Sequence, residues 1–303
     1  MRFMVIVKAS VDSEAGKLPD ETLLAAMGRY NQEMLRAGVM LAGDGLKPSA
    51  KGVRVRQSGK KVSVVDGPFA ETKELVGGFW LISTRTKAEA IDWMKRAPFD
   101  DAEVEIRQLY ELSDFPVDEG EQPEGWRAQE QRMRDGADAV TSGSGSAPVP
   151  RKPGTTRYLV MLRSDQVAES GALPGPEALA RMGALMDEMM KSGAVLGGEG
   201  LKPSASGARI RYQGGRRAVT DGPFSETKEL IAGYTMIQVK TREEAIDFAR
   251  RWLQIHTEVS HLADGELEIR PMLELEDFPV RPEEKADGWR QQEQAFKEKH
   301  GLP

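Results

Sequence analysis

Residues 41–79 read LAGDGLKPSAKGVRVRQSGKKVSVVDGPFAETKELVGGF, and residues 196–234 read LGGEGLKPSASGARIRYQGGRRAVTDGPFSETKELIAGY. At an offset of 155, 23 of these 39 positions are identical, so the 303-residue chain carries an internal duplication. Outward from this stretch, Arg2-Phe3-Met4-Val5-Ile6-Val7 lies over Arg157-Tyr158-Leu159-Val160-Met161-Leu162. Beyond Arg96 the offset becomes 163, because copy two carries eight extra residues around Gln254–Gly265. Glu105-Ile106-Arg107, Asp114-Phe115-Pro116-Val117 and Gly125-Trp126-Arg127 then recur as Glu268-Ile269-Arg270, Asp277-Phe278-Pro279-Val280 and Gly288-Trp289-Arg290. Two copies of over a hundred residues make two domains rather than a solenoid.

The expected organisation is module 1 over 1–115, a helical extension over 116–134, a linker over 135–155, module 2 over 156–278 and a second helical extension over 279–303. The linker is rich in Gly, Ser, Ala and Pro, including Ser142-Gly143-Ser144-Gly145-Ser146, a composition that behaves as a flexible tether. Each extension carries one Trp, at 126 and 289, in a charged, Gln-rich segment.

Within a module, Phe3–Val7 is an apolar run of strand length. Leu23, Met27, Tyr30 and Met34 recur at helical spacing with Gly38 in the C-cap position. Short strands follow at 39–42, 53–56 and 62–65, the last two flanking a Ser58-Gly59 turn. Phe79–Ser83 is the next strand. Thr86-Lys87-Ala88-Glu89 and Thr241-Arg242-Glu243-Glu244 are capping boxes that open a second helix in each copy, and Val104–Leu109 closes the module. This order predicts an α+β fold: two ferredoxin-like βαββαβ modules. Such a sheet has one face bare of helices, and the second copy is the obvious cover. The expectation is an intrachain α/β barrel with the sheets packed face to face.

Composition narrows the function classes. The chain is 39% hydrophobic and 30% charged, with a net charge of −6, which fits a globular protein and argues against a broad nucleic-acid footprint. Cysteine is absent, which excludes disulfides, thiolate metal sites and a Cys nucleophile. No apolar run approaches eighteen residues, so no membrane span is expected. Arg2–Ala9 reads directly as a strand without signal-peptide features, and the cytoplasm is the expected location.

The Asp-Gly-Pro-Phe motif at 66–69 and 221–224, followed by Glu-Thr-Lys-Glu at 71–74 and 226–229, resembles the YCII-related family, specifically its DGPF branch. The resemblance covers nearly all of both copies. It implies a ferredoxin-like fold and a dimeric α/β barrel, usually built from two chains. It implies no settled activity, and it suggests a link to extracytoplasmic-function sigma factors. Some relatives pair a His with an Asp as an acid–base site, whereas no histidine occurs here before His256.

Two readings stand for the repeated motifs. Asp66 and Asp221 either serve a turn, with Gly supplying conformational freedom and Phe69 plugging the core, or act as general acids or bases. Glu71, Lys73, Glu226 and Lys228 are either a solvated charge cluster or ligand contacts, the cation beside the anion on one side of an extended segment. Asp44 and Glu199, in Gly-Asp-Gly and Gly-Glu-Gly, keep an acid at the same place in each copy and are candidates for the same cleft. His256 and His261 lie in the copy-two insertion without metal-ligand clustering, and no metal or cofactor is expected. The expected function is a small-molecule-binding or regulatory module for a polar or anionic ligand. A small-molecule lyase or hydrolase working through Asp/Glu chemistry is the alternative. The expected state is a monomer whose two copies pair with each other, with further self-association of such pseudo-dimers left open.

Overall fold

The computed structural model describes residues 1–70, 75–115, 152–226, 230–259 and 264–278. Both helical extensions, nearly all of the linker, Glu71, Lys73, Lys228 and His261 lie outside the described residues.

Copy one runs β1 (Arg2–Lys8), the short α1 (Val11–Glu14), α2 (Glu21–Arg36), β2 (Met40–Gly45), the hairpin β3 (Val53–Ser58) and β4 (Lys61–Asp66), β5 (Val76–Ser83), α3 (Lys87–Lys95) and β6 (Asp101–Gln108). Copy two repeats it as β7 (Thr156–Arg163), α4 (Gln166–Glu169), α5 (Pro176–Lys191), β8 (Val195–Gly200), β9 (Ala208–Gln213), β10 (Arg216–Asp221), β11 (Ile231–Val239), α6 (Arg242–Val259) and β12 (Asp264–Pro271). α2 starts where the Asp20 carboxylate accepts the Leu23 N–H at 2.8 Å, and it stops at Gly38, whose φ is +69°. Thr86 and Thr241 cap α3 and α6 by accepting the N–H of Glu89 and Glu244. Each Glu reaches back to the residue before its cap, Arg85 or Lys240, a variant of the box read from sequence. The copy-two insertion lengthens the second helix: α6 has 18 residues where α3 has nine.

All ladders are antiparallel, and they build two six-stranded sheets, β10-β9-β6-β1-β5-β2 and β4-β3-β12-β7-β11-β8. Each takes four main strands from one copy and a hairpin from the other. The hairpins are exchanged: β3 of copy one pairs with β12 of copy two, and β9 of copy two pairs with β6 of copy one. The exchange is anchored by side chains. Tyr212 on β9 donates its hydroxyl to the Met94 carbonyl at the end of α3 at 2.5 Å, and Gln57 on β3 donates to Thr257 on α6 at 2.6 Å.

Strand alternation sorts the core into layers. Phe3 and Val5 join Tyr30, Met34, Ala90 and Met94 under the helices of copy one. The intervening Met4 and Ile6 join Leu159, Met161, Tyr234 and Met236 of the other sheet. The expected barrel is not closed, which corrects the sequence expectation. Among the described residues, the sheets meet along their backbones only through the single bridges Leu46–Met272 and Leu109–Leu201. The free edge of β6 or β12 is taken up by the exchanged hairpin, so the ladders end there instead of continuing round.

Candidate functional site

The repeated motifs meet one another. The Phe69 N–H donates to Ser49 Oγ at 3.2 Å, and Phe224 repeats the bond to Ser204 at 3.1 Å. Both Phe rings are buried, with Arg54 4.1 Å above one and Arg209 4.2 Å above the other. A Cβ on Gly67 or Gly222 would lie 1.9 Å from the carbonyl oxygen of Ser49 or Ser204. The Asp-Gly-Pro-Phe turn thus packs on the Lys-Pro-Ser-Ala loop, and glycine is required by lack of room.

The charges retained in both copies reach across to the other copy. Asp66 pairs with Arg242 at the start of α6, and Asp221 pairs with Lys87 at the start of α3 at 2.8 Å. Both carboxylates are largely exposed, at 73% and 68%. Asp44 accepts from the buried Arg157, which also donates to Glu274 at 2.9 Å, while Glu199 pairs with Arg2 at 2.5 Å and accepts from the Tyr234 hydroxyl at 3.1 Å. Lys47 meets Asp277 and Lys202 meets Asp114, each at 2.6 Å.

Beneath these pairs lie two matching ionic clusters that sequence reading passed over. Glu105 is buried against Lys8, Arg107 and Arg209, and Glu268 against Arg54, Arg163 and Arg270. Burial alone would raise these carboxyls, but the three cations around each outweigh it and hold both below the usual carboxylate range. Arg107 and Arg270 also donate to the Lys202 and Lys47 carbonyls at 2.7 and 2.6 Å, which holds the opposite copy's loop.

Two cavities flank the sheets on their helical sides. The first, about 1190 Å³, lies between α2 and the floor made by Gly43, Gly77 and Gly78, with a wall from β9 of the other copy. Asp44 and Glu226 line it, together with Lys8, Glu103 and Arg211. Asn31 on α2 accepts from the Trp80 indole N–H at 3.0 Å in the same cavity. The lining holds six Lys/Arg and six Asp/Glu residues, so its formal charge is balanced. The second, about 400 Å³, lies between α5 and β7, β8 and β11, and includes Glu199. Asp66 and Asp221 line neither. Arg211, Glu103 and Asn31 were not singled out from sequence. For Asn31 the available signal was divergence between copies, since it lies over Met186 and its partner Trp80 over Thr235, whereas Arg211 and Glu103 match Arg56 and Glu266 and carried no such signal.

Comparison with known proteins agrees with this duplicated architecture. An uncharacterized protein of Rhizobium meliloti (strain 1021) is 36% identical over 72 residues, which cover 24% of this chain and 54% of that protein. The chain therefore spans about half the length of that relative. The family model described as the YCII-related domain matches residues 1–113 and again 156–259, more than half of the chain. The chain belongs to the YCII-related family, with its domain present twice.

Proposed function

We propose that this protein binds a small polar molecule, zwitterionic in character, in the cavity between α2 and the glycine-lined floor of the first sheet. The observation that carries this reading is the balanced set of six cations and six acids around about 1190 Å³. A polyphosphate would meet as many acids as cations there, whereas a ligand carrying one charge of each sign finds a partner for both. Lys8 is committed to Glu105, and Asp44 to Arg157. Arg211 and Glu103, opposed across the β6–β9 ladder, are assigned to the ligand. The reading extends to Glu226, the one residue of the two Glu-Thr-Lys-Glu segments among the described residues.

Isothermal titration with a panel of amino acids and betaines, alongside simple dicarboxylates and nucleotides, tests it. A zwitterion should bind saturably, and Arg211→Ala or Glu103→Gln should weaken it about tenfold, the loss of one charge-assisted hydrogen bond. Saturable binding by nucleotides alone, or by nothing in the panel, would overturn the reading.

A further inference from the structure

The second cavity has a different chemistry from the first, and the difference begins with one residue. The strand registers place Trp80 opposite Val5 and Thr235 opposite Val160, the same position in each copy. In copy one the buried indole is part of the lining of the larger cavity under α2. In copy two the smaller Thr235 stands at that position, in the lining of the cavity of about 400 Å³ under α5. Its walls include Leu162, Leu179, Met182, Met186 and Trp252. Thioether side chains of this kind adapt to the outline of an apolar guest.

The charged groups on the lining are already engaged. Arg163 pairs with Glu268 at 2.5 Å, Glu199 with Arg2 at 2.5 Å, and Asp165 caps α4 by accepting the Ala168 N–H at 2.7 Å. An anionic ligand would therefore enter without a free counter-charge, since the cation Arg163 is already paired. His256, brought to this wall by the lengthened α6, stacks on Trp252 with ring centroids 5.0 Å apart, and its Nδ1 is buried without a hydrogen-bond partner among the described residues. Burial lowers the pKa of this imidazole, opposed by the Asp165 charge, so near neutral pH the ring is uncharged. Leaving such an atom unsatisfied is unfavourable, and a guest that supplies one hydrogen bond removes the penalty.

We propose that this cavity is a second, separate binding site, for a neutral, flat, mainly apolar molecule carrying a single hydroxyl group that bonds to Nδ1 of His256. It does not rest on the polar-cavity reading, because none of its argued contacts are shared with the first cavity.

The test uses the full-length protein and three probes of similar shape: 2-naphthol, 2-methylnaphthalene and 2-naphthoate, titrated calorimetrically. Expected is an order of 2-naphthol first, 2-methylnaphthalene about five- to tenfold weaker, as one net hydrogen bond predicts, and 2-naphthoate weakest. His256→Phe keeps the stack on Trp252 and should bring the first two probes to the same affinity. Met186→Trp should fill the cavity and abolish binding of all three. Equal affinity for the alcohol and the hydrocarbon in the wild-type protein, a preference for the carboxylate, or absence of binding would each overturn the proposal, whatever the variants do. An alcohol preference that survived in His256→Phe would overturn it as well. The zwitterion that fills the first cavity should leave these affinities unchanged, so the two sites stand or fall separately.

Discussion

At Gly67 the turn motif is decided by distance. A methyl group there would sit 1.9 Å from a backbone oxygen of the neighbouring loop, so Gly67→Ala should destabilise the fold by about 1–3 kcal/mol or more through overpacking. Phe69→Ala should cost about 3–5 kcal/mol, because the buried ring leaves a hole beneath Arg54. Asp66→Asn should shift stability by only about 0.5 kcal/mol, since its carboxylate is 73% exposed. Denaturant midpoints for the three variants check this ordering. A large effect of Asp66→Asn together with a negligible one of Phe69→Ala would reverse the structural account of the motif. The same residues explain why the acids looked like site candidates. Asp66, Asp221, Asp44 and Glu199 recur because each holds a cation of the opposite copy, a pairing that local sequence does not display.

The exchanged hairpins are the elements on which the assembly depends. Strand β3 carries Arg54 directly opposite Glu268 on β12, and β9 carries Arg209 opposite Glu105 on β6. Each glutamate is buried among three cations. Replacing Glu268 with Gln would leave those cations buried without their counter-charge, and should cost about 3–5 kcal/mol. Both carboxyls are held below their ordinary value of 4.5 in the folded state. As pH falls, the unfolded chain therefore takes up these protons first. Their stabilising contribution is complete above about 4.5 and is lost as pH drops through the lower folded values. Thermal melts in this acid range should show Tm falling with pH, and the slope should flatten in Glu105→Gln and Glu268→Gln. An unchanged slope in the double variant would show that other groups carry the acid sensitivity.

For the whole molecule, hairpin exchange ties the two copies into one cooperative unit. Each sheet needs a hairpin from the other copy, so neither copy retains its full sheet when separated. Residues 1–115 alone should form a dimer that exchanges β3–β4 between chains, or remain largely unfolded. The full chain should stay monomeric at micromolar concentration, because a tether of about twenty residues keeps the second copy at an effective concentration near millimolar. Light scattering on both, with a calorimetric scan of the full chain, checks this. A folded monomer of 1–115, or two separate transitions in the full chain, would contradict it. The asymmetry between the cavities also belongs to this scale. One backbone plan offers two pockets, and differences such as Trp80 against Thr235 give them different contents.

Residues 41–79 and their repeat were enough to establish duplication, and spacing along residues 3–109 was enough for the element order and the capped helices, because these depend on local spacing and on self-comparison. The continuous apolar run Phe3–Val7 also marked the first strand. The partner of each hairpin was not legible. A two-residue turn specifies that β3 and β4 pair with each other, but their outer edge reads the same whether it meets β6 or β12. Tertiary structure decided that choice by bringing Arg54 to Glu268 and Tyr212 to the end of α3. It also placed the cavities under α2 and α5, because a cavity is the space left when side chains distant in sequence fail to fill a volume, and no single segment encodes that difference.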